Sequence, residues 1–251
     1  MWTRQQLKTN AKMNFTKNYW PCVGVSFIVA LAEGAGTVSS TANNVKSSIE
    51  TNFHVNSAGV AAGYSAEGLP DSFATGLFST VMLSVILAMF VIGLVVNIFV
   101  VSVIRVGANG FFVRNQTGMP GIGDIFRGFK SGHYGNIVVT MFLMNLYITL
   151  WSLLFLIPGI IKMYEYLMVP YILADNPGMD RKEAFAISKR MMTGEKWNAF
   201  ILQLSFLGWI FLSMFTCGLL GIFYVSPYME ATMAELYAYN KGKAFHEGYI
   251  Q

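Results

Sequence analysis

Long apolar runs alternate with shorter polar segments along this chain. The runs cover residues 20–32, 75–104, 137–174 and 197–239. Apolar stretches of about 18 or more residues are the signature of transmembrane helices. As a single helix, residues 137–174 would be about 57 Å long, nearly twice the ~30 Å hydrocarbon core of a bilayer. That run is therefore too long for one span.

The two long runs in the second half of the chain are each predicted to fold into a helical hairpin. In run 137–174 the turn is predicted at Pro158-Gly159, because proline lacks a backbone donor and glycine tolerates a turn. In run 197–239 the turn is predicted at Gly218. Each hairpin has a tryptophan before its turn and a Pro-Tyr pair after it. This similarity predicts a weak helical hairpin repeat.

The distribution of basic residues supports these hairpins. With both runs folded back, all of the 17 Lys and Arg residues except Lys46 and Lys162 lie on one side of the membrane. Basic loops favour the cytoplasmic side. The sequence therefore predicts an all-α, polytopic membrane bundle of about six transmembrane helices with both termini in the cytoplasm. Residues 1–251 are predicted to form a single integral membrane domain with an extracellular loop at 33–72.

Three segments have the pattern of helices that lie at a membrane surface. Residues 1–18 begin with a capping motif at Thr3, and segment 105–136 is basic and punctuated by glycine. In segment 175–196, Asp180 is the predicted N-cap of a helix that is apolar on one face. The opposite face of that helix carries four basic residues: Arg181, Lys182, Lys189 and Arg190.

The first apolar run has a second interpretation. Basic residues precede the short stretch 20–32, which ends in Ala-Leu-Ala, and this is also the pattern of a secretory signal peptide. The basic segment itself has helical periodicity, with apolar residues at Leu7, Ala11 and Phe15, and this argues against cleavage. A retained first span is the favoured interpretation.

Composition argues against several classes of function. Charged residues make up 12% of the chain and hydrophobic residues 54%, which is not typical of a soluble protein. The net charge of +4 fits cytoplasmic loops, so no nucleic-acid partner is expected. Cys22 and Cys217 have no metal-site spacing, and neither a metal nor another cofactor is predicted. Common catalytic motifs are absent from the sequence, so the protein is not predicted to be an enzyme.

Polar side chains inside the apolar runs are costly in lipid, which makes them the candidate functional site. Lys162 and Glu165 are three residues apart, so they share a helix face and can form an ion pair. Glu230 is predicted to be the most deeply buried carboxylate. The full candidate set is Lys162, Glu165, Glu230, Asn145, Asn97 and Gln203. These residues could hold the helices together, or they could line a polar cavity for an ion, a lipid headgroup or a peptide.

Several longer motifs resemble one known family. They are "MWTRQQLKTNAK", "FRGFKSGHYGN", "LIPGIIKMYEY", "ILADNPGMDRKEAFAISKRMMTGEKWNAFILQLSFLGW" and "PYMEATMAELY". In these the chain is similar to the bacterial membrane proteins catalogued as domain of unknown function 975. The resemblance covers most of the chain outside the Ser/Thr-rich outer loop. It implies a retained first span and a Gram-positive bacterial source, and it implies no established activity or catalytic residue.

Two functions remain open from the sequence. The first is a non-enzymatic accessory or scaffold protein that binds membrane lipid or a membrane-protein partner, including a second copy of itself. The alternative is a small transporter or channel that uses the intramembrane carboxylates. A polar cavity at Glu165 or Glu230 would favour transport, whereas tight packing around both would favour a scaffold. For either function, the expected location is the bacterial cytoplasmic membrane.

Overall fold

The computed structural model describes residues 2–36 and 71–249, and these residues lie in helices and the turns between them. The all-α prediction is confirmed for this part of the chain. Residues 37–70 of the predicted extracellular loop lie outside the described residues. The α-helices are α1 (Arg4–Lys17), α2 (Tyr19–Gly36), α3 (Asp71–Val96), α4 (Ser102–Arg114), α5 (Arg127–Lys130), α6 (Tyr134–Leu154), α7 (Leu156–Glu165), α8 (Val169–Asp175), α9 (Arg181–Met191), α10 (Lys196–Leu204), α11 (Leu207–Phe215) and α12 (Ser226–His246).

Three shorter helical turns connect some of these elements. Two are π-helical turns, at Asn97–Val101 and Gly221–Val225, and the third is a 3₁₀ turn at Ile122–Phe126. The π turn at Asn97–Val101 joins α3 to α4 without an interruption of the helix.

Within residues 2–36 and 71–249, four helical stretches are long and apolar enough to cross a membrane. They are Thr80–Arg114, Tyr134–Leu154, Leu156–Asp175 and Lys196–Phe215. The helix Tyr19–Gly34 is also apolar but shorter. These lengths are compatible with a membrane protein, because about 20 apolar residues in a helix span a bilayer.

The chain divides into two compact units, residues 32–97 and residues 1–31 together with 98–251. In the first unit, most of the described side chains of α3 are apolar and exposed, including Leu83 at 67% and Ile92 at 62%. A helix with so many exposed apolar side chains suits a lipid environment better than water.

In the larger unit, the buried side chains are concentrated away from the tips of the two hairpins. Tyr237, Phe15 and Phe206 are among the largest fully buried side chains. At the hairpin tips, in contrast, Leu153 is 86% exposed and Phe215 is 83% exposed. The packed core and the exposed apolar surface at the hairpin tips are therefore separate parts of this unit.

The sequence predictions of helix starts at Thr3 and Asp180 are confirmed. The Thr3 side chain accepts a hydrogen bond from the backbone N–H of Gln6 at 3.2 Å. The Asp180 carboxylate accepts one from the backbone N–H of Lys182 at 3.1 Å. Both caps satisfy amides that have no partner within the helix.

The first hairpin turns at Phe155, so the predicted turn at Pro158-Gly159 is wrong by three residues. Phe155 has extended dihedral angles, φ −155° and ψ 141°, between α6 and α7. Pro158 lies in the first turn of α7, where its missing N–H costs nothing. Gly159 has a packing role instead, because a Cβ at this position would lie 2.8 Å from the Cβ of Ser152 on the opposite arm.

The second hairpin turns at the residue pair Cys217-Gly218. Both residues have positive φ angles, 50° for Cys217 and 82° for Gly218. Glycine adopts this region of backbone space without strain, whereas cysteine does not. In this hairpin too a glycine faces a serine, since a Cβ at Gly221 would lie 2.6 Å from the hydroxyl of Ser213.

Helix α4 occupies the first part of segment 105–136 and is almost entirely buried. A Cβ at Gly107 would clash with the backbone carbonyl of Ile125 in the 3₁₀ turn, and would lie 2.6 Å from its carbonyl carbon. Gly107 therefore lets two backbones approach more closely than any other residue would allow.

Helix α9 packs its apolar face against the protein itself. Ala184, Ile187 and Met191 are buried on this face, and the helix contacts α8 and α12. The basic residues of the opposite face, Arg181, Lys182, Lys189 and Arg190, are all exposed. Because the apolar face is occupied, a membrane contact of this helix would have to use its basic face.

Candidate functional site

Glu165, at the end of α7, is a buried carboxylate held by two lysines. Its residue surface is only 6% exposed. Lys162 Nζ lies 2.6 Å from one carboxylate oxygen, and Lys196 Nζ lies 2.6 Å from the other. The predicted pair of Lys162 and Glu165 therefore forms, with a second cation that joins it from α10. Such short contacts are typical of strong charge-assisted hydrogen bonds.

The backbone around Glu165 is also held in place by its neighbours. The buried hydroxyl of Ser188 on α9 donates to the Glu165 carbonyl at 2.7 Å and accepts from the Met168 amide at 3.3 Å. The adjacent Tyr164 donates its hydroxyl proton to Gln203 Oε1 at 2.7 Å. Helices α7, α9 and α10 therefore meet around one carboxylate through specific polar contacts.

Glu230, on α12, has a different partner. Its carboxylate accepts a hydrogen bond from Arg105 of α4 at 2.9 Å. The side chains are 15% and 34% exposed, respectively. This ion pair ties the last helix of the protein to the helix that follows the π turn.

The remaining candidates do not form a single site. Asn145 is exposed on α6, and Asn97 is half-buried in the π turn. Gln203 is connected to the Glu165 region through Tyr164. The predicted set therefore separates into one cluster around Glu165, one pair at Glu230, and two amides elsewhere.

Sequence reasoning missed both of the additional cations. Lys196 and Arg105 lie in segments that were predicted to be interfacial, at 175–196 and 105–136. Neither is close in sequence to its carboxylate, so helical spacing gives no signal for these pairs. The one available signal is that Arg105 and Lys196 directly flank the apolar runs 75–104 and 197–239. This position shows that cations are near the ends of the runs, but it does not show which carboxylate each of them contacts.

A basic pocket of about 340 Å³ was also missed. Its wall includes Arg114, Arg127, Lys130 and Ser131, together with Asp175. Neither Glu165 nor Glu230 is among its lining residues. Its other lining residues are apolar or lack a polar side chain: Val106, Gly107, Gly110, Gly128, Ile137, Leu173, Ala174 and Pro177.

Asp124 connects two of the pocket's cations. It forms ion pairs with Arg114 at 3.1 Å and with Arg127 at 3.2 Å. Asp175, which also lines the pocket, accepts hydrogen bonds from Tyr237 at 2.7 Å and Lys241 at 2.6 Å. Both nearby carboxylates are therefore already bound to groups of the protein.

A buried amide network connects the N-terminal helix to the loop after α4. Asn115 is 1% exposed; its side chain accepts from Asn18 at 2.8 Å and donates to the Asn14 carbonyl at 2.9 Å. Asn14 in turn donates to Glu235 of α12 at 2.7 Å. These contacts hold α1 against the packed core. Among the described residues, no group of three or more His, Cys, Asp and Glu side chains could hold a metal ion.

The described residues therefore belong to an all-helical protein with apolar helices of membrane length, in which Glu165 and Glu230 are paired with cations. Comparison of the sequence with known families gives the assignment. The family described as "Protein of unknown function (DUF975)" matches residues 67–242, and the chain belongs to this family. No curated protein matches the chain, and no solved structure does.

Proposed function

We propose that this protein is a non-enzymatic accessory or scaffold protein of the bacterial cytoplasmic membrane that binds lipid or another membrane component. The observation that carries the proposal is the pairing of both candidate carboxylates with cations of the protein. Glu165 is neutralised by Lys162 and Lys196, and Glu230 by Arg105.

Paired carboxylates of this kind fit a structural role better than an ion-binding role. A transported cation would have to displace two lysines at 2.6 Å from Glu165. Removal of one partner from a buried ion pair leaves an uncompensated charge and is strongly unfavourable. The Glu165 cluster therefore stabilises the contact of α7 with α10 and leaves no vacant carboxylate for a substrate.

The proposed topology has six spans with both termini in the cytoplasm. Four helices of membrane length support it, and the apolar segments Tyr19–Gly34 and 219–239 are the candidates for the other two spans. The one-sided distribution of Lys and Arg supports the orientation. In this arrangement residues 1–18, 105–136 and 175–196 are cytoplasmic.

The experiment compares wild-type protein with Glu165→Gln and Glu230→Gln in two assays, unfolding in mild detergent and ion flux in liposomes. We expect both variants to unfold under milder conditions than the wild-type protein does. We expect liposomes that contain the wild-type protein to show no more ion flux than liposomes without protein. A flux that wild type supports and that either variant loses, while its stability is unchanged, would overturn the proposal and favour the transporter.

A further inference from the structure

The basic pocket lies where three of the membrane-length helices end. Val106, Gly110 and Arg114 come from the last turns of the stretch Thr80–Arg114. Ile137 lies in the first turn of Tyr134–Leu154, and Asp175 is the last residue of Leu156–Asp175. In the proposed topology, all three ends are on the cytoplasmic side of the membrane. The pocket is therefore at the depth of lipid headgroups.

The charge of the pocket is positive. Arg114, Arg127 and Lys130 line it, and Lys241 lies beside it on Asp175. Asp124 and Asp175 are the carboxylates that contact these cations. Four cations against two carboxylates leave two positive charges. Lys130 has no ion-pair partner among the described residues.

Arg114 gives a second and independent indication of an anion-binding site. Its Nε donates to Asp124, but its Nη2 is buried and has no hydrogen-bond partner among the described residues. A buried donor without an acceptor costs free energy, and a charged donor costs more than a neutral one. An oxygen of a bound anion would supply that acceptor.

The segment that supplies Arg127 and Lys130 also presents apolar side chains outward. Ile122 is 40% exposed, Phe126 is 44% exposed and Phe129 is 37% exposed. Cationic and aromatic residues thus alternate along residues 126–130. This is the composition of a segment that lies in the membrane interface, where apolar side chains reach the acyl chains and cations reach headgroups.

We propose that this pocket binds the phosphate of an anionic membrane lipid, an inference that rests on the proposed lipid-binding function. Arg114, Arg127 and Lys130 bind the phosphate oxygens, and Ser131 is a further donor. Ile122, Phe126 and Phe129 contact the acyl chains of the surrounding lipid. Basic pockets between transmembrane helices on the cytoplasmic side are suited to anionic headgroups. A free phosphate ion has the same oxygens to offer the cations, but it has no acyl chains that could contact the exposed apolar residues.

The test measures lipid binding to the full-length protein by native mass spectrometry, with phosphatidylglycerol, phosphatidylcholine and inorganic phosphate as separate probes. The pocket variant is Arg127→Gln with Lys130→Gln, which leaves the pair of Arg114 and Asp124 intact. The matched control is Arg181→Gln with Lys189→Gln, which also removes one arginine and one lysine but from the exposed face of α9. A single Lys130→Gln variant, which loses no ion pair, serves if the double variant is unstable.

We expect the pocket variant to lose at least about tenfold in affinity for phosphatidylglycerol, and the control to change by less than about twofold. An equal loss in both variants would overturn the pocket assignment in favour of diffuse surface charge. If the pocket variant binds phosphatidylglycerol as tightly as wild type does, the lipid binds elsewhere on the protein. The pocket assignment is then wrong, and the proposed lipid-binding function is unaffected. If inorganic phosphate binds wild type as tightly as the lipid does, the ligand is the free ion. If wild type binds neither lipid, the lipid-binding function fails as well.

Discussion

Replacing Glu165 by glutamine removes one negative charge from the core and changes the side-chain volume very little. The variant leaves the ammonium groups of Lys162 and Lys196 next to a neutral amide. The expected loss of stability therefore reports the value of the charge and contains almost no cavity contribution. This makes Glu165→Gln a direct test of whether the cluster stabilises the fold.

The magnitude follows from burial. Removing one partner of a fully buried ion pair costs about 3–5 kcal/mol. The side chains of Lys162 and Lys196 are 21% and 32% exposed, so both can recover part of their hydration after the change. We therefore expect a loss of about 2–3 kcal/mol, at the lower end of that range or just below it.

Cys22 provides the assay. It is fully buried, and Cys217, the only other cysteine, is exposed. In a Cys217→Ser background, the reaction of Cys22 with a thiol-reactive dye in mild detergent reports unfolding as the temperature or denaturant concentration is raised. Glu165→Gln should expose Cys22 under milder conditions than the background protein.

The matched control is Glu247→Gln. Glu247 is 52% exposed and lies 3.9 Å from Lys243, so its loss should change stability by less than about 1 kcal/mol. A double variant, Glu165→Gln with Lys196→Gln, should recover part of the loss, because one stranded cation is removed. If Glu165→Gln is as stable as Glu247→Gln, the carboxylate does not hold the helices together and the reasoning fails.

Three further predictions concern packing, pH and topology. Gly107→Ala should destabilise the protein by about 1–3 kcal/mol, because the added Cβ would meet backbone atoms of Ile125. The control Gly242→Ala has open space around the new Cβ and should stabilise α12. Equal effects of the two variants in unfolding assays would contradict the close approach at Gly107. Burial and Arg4 hold the pKa of Lys8 below its ordinary value of 10.5. The unfolded chain therefore binds more protons than the folded one, and the free energy of unfolding should rise as the pH rises toward 10.5. The rise should be smaller in Lys8→Gln, and an unchanged rise in that variant would exclude Lys8 as its source. An impermeant thiol reagent added to intact cells should label Cys217 and leave Cys22 unlabelled, and protection of Cys217 would refute the second hairpin's orientation.

Local sequence signals predicted local structure well. The caps at Thr3 and Asp180 were predictable because a cap and its partner amide are two or three residues apart. The turn of the first hairpin was not, since Pro158 is compatible with either a turn or the first turn of a helix. Gly159 occupies its position because Ser152 packs against it, and that partner is specified by the tertiary fold.

The candidate site was predictable only in part, for the same reason. The ion pair of Lys162 and Glu165 follows from their spacing within one helix. The contact of Lys196 with Glu165 joins helices α7 and α10, and no periodicity encodes it. The basic pocket forms where three helix ends that are distant in sequence come together, and no local pattern encodes this contact. In the sequence alone, its cations cannot be distinguished from the other basic residues of a cytoplasmic loop.

We propose that this protein lies in a membrane, that it binds lipid, and that Glu165 and Glu230 stabilise its fold. The most direct measurement is a native mass spectrum of the wild-type protein after gentle release from its own membrane. The account predicts a chain that retains phospholipid in a defined stoichiometry, with anionic lipid enriched over the surrounding membrane. A bare chain, or a broad distribution of lipids in the proportions of the membrane, would contradict it.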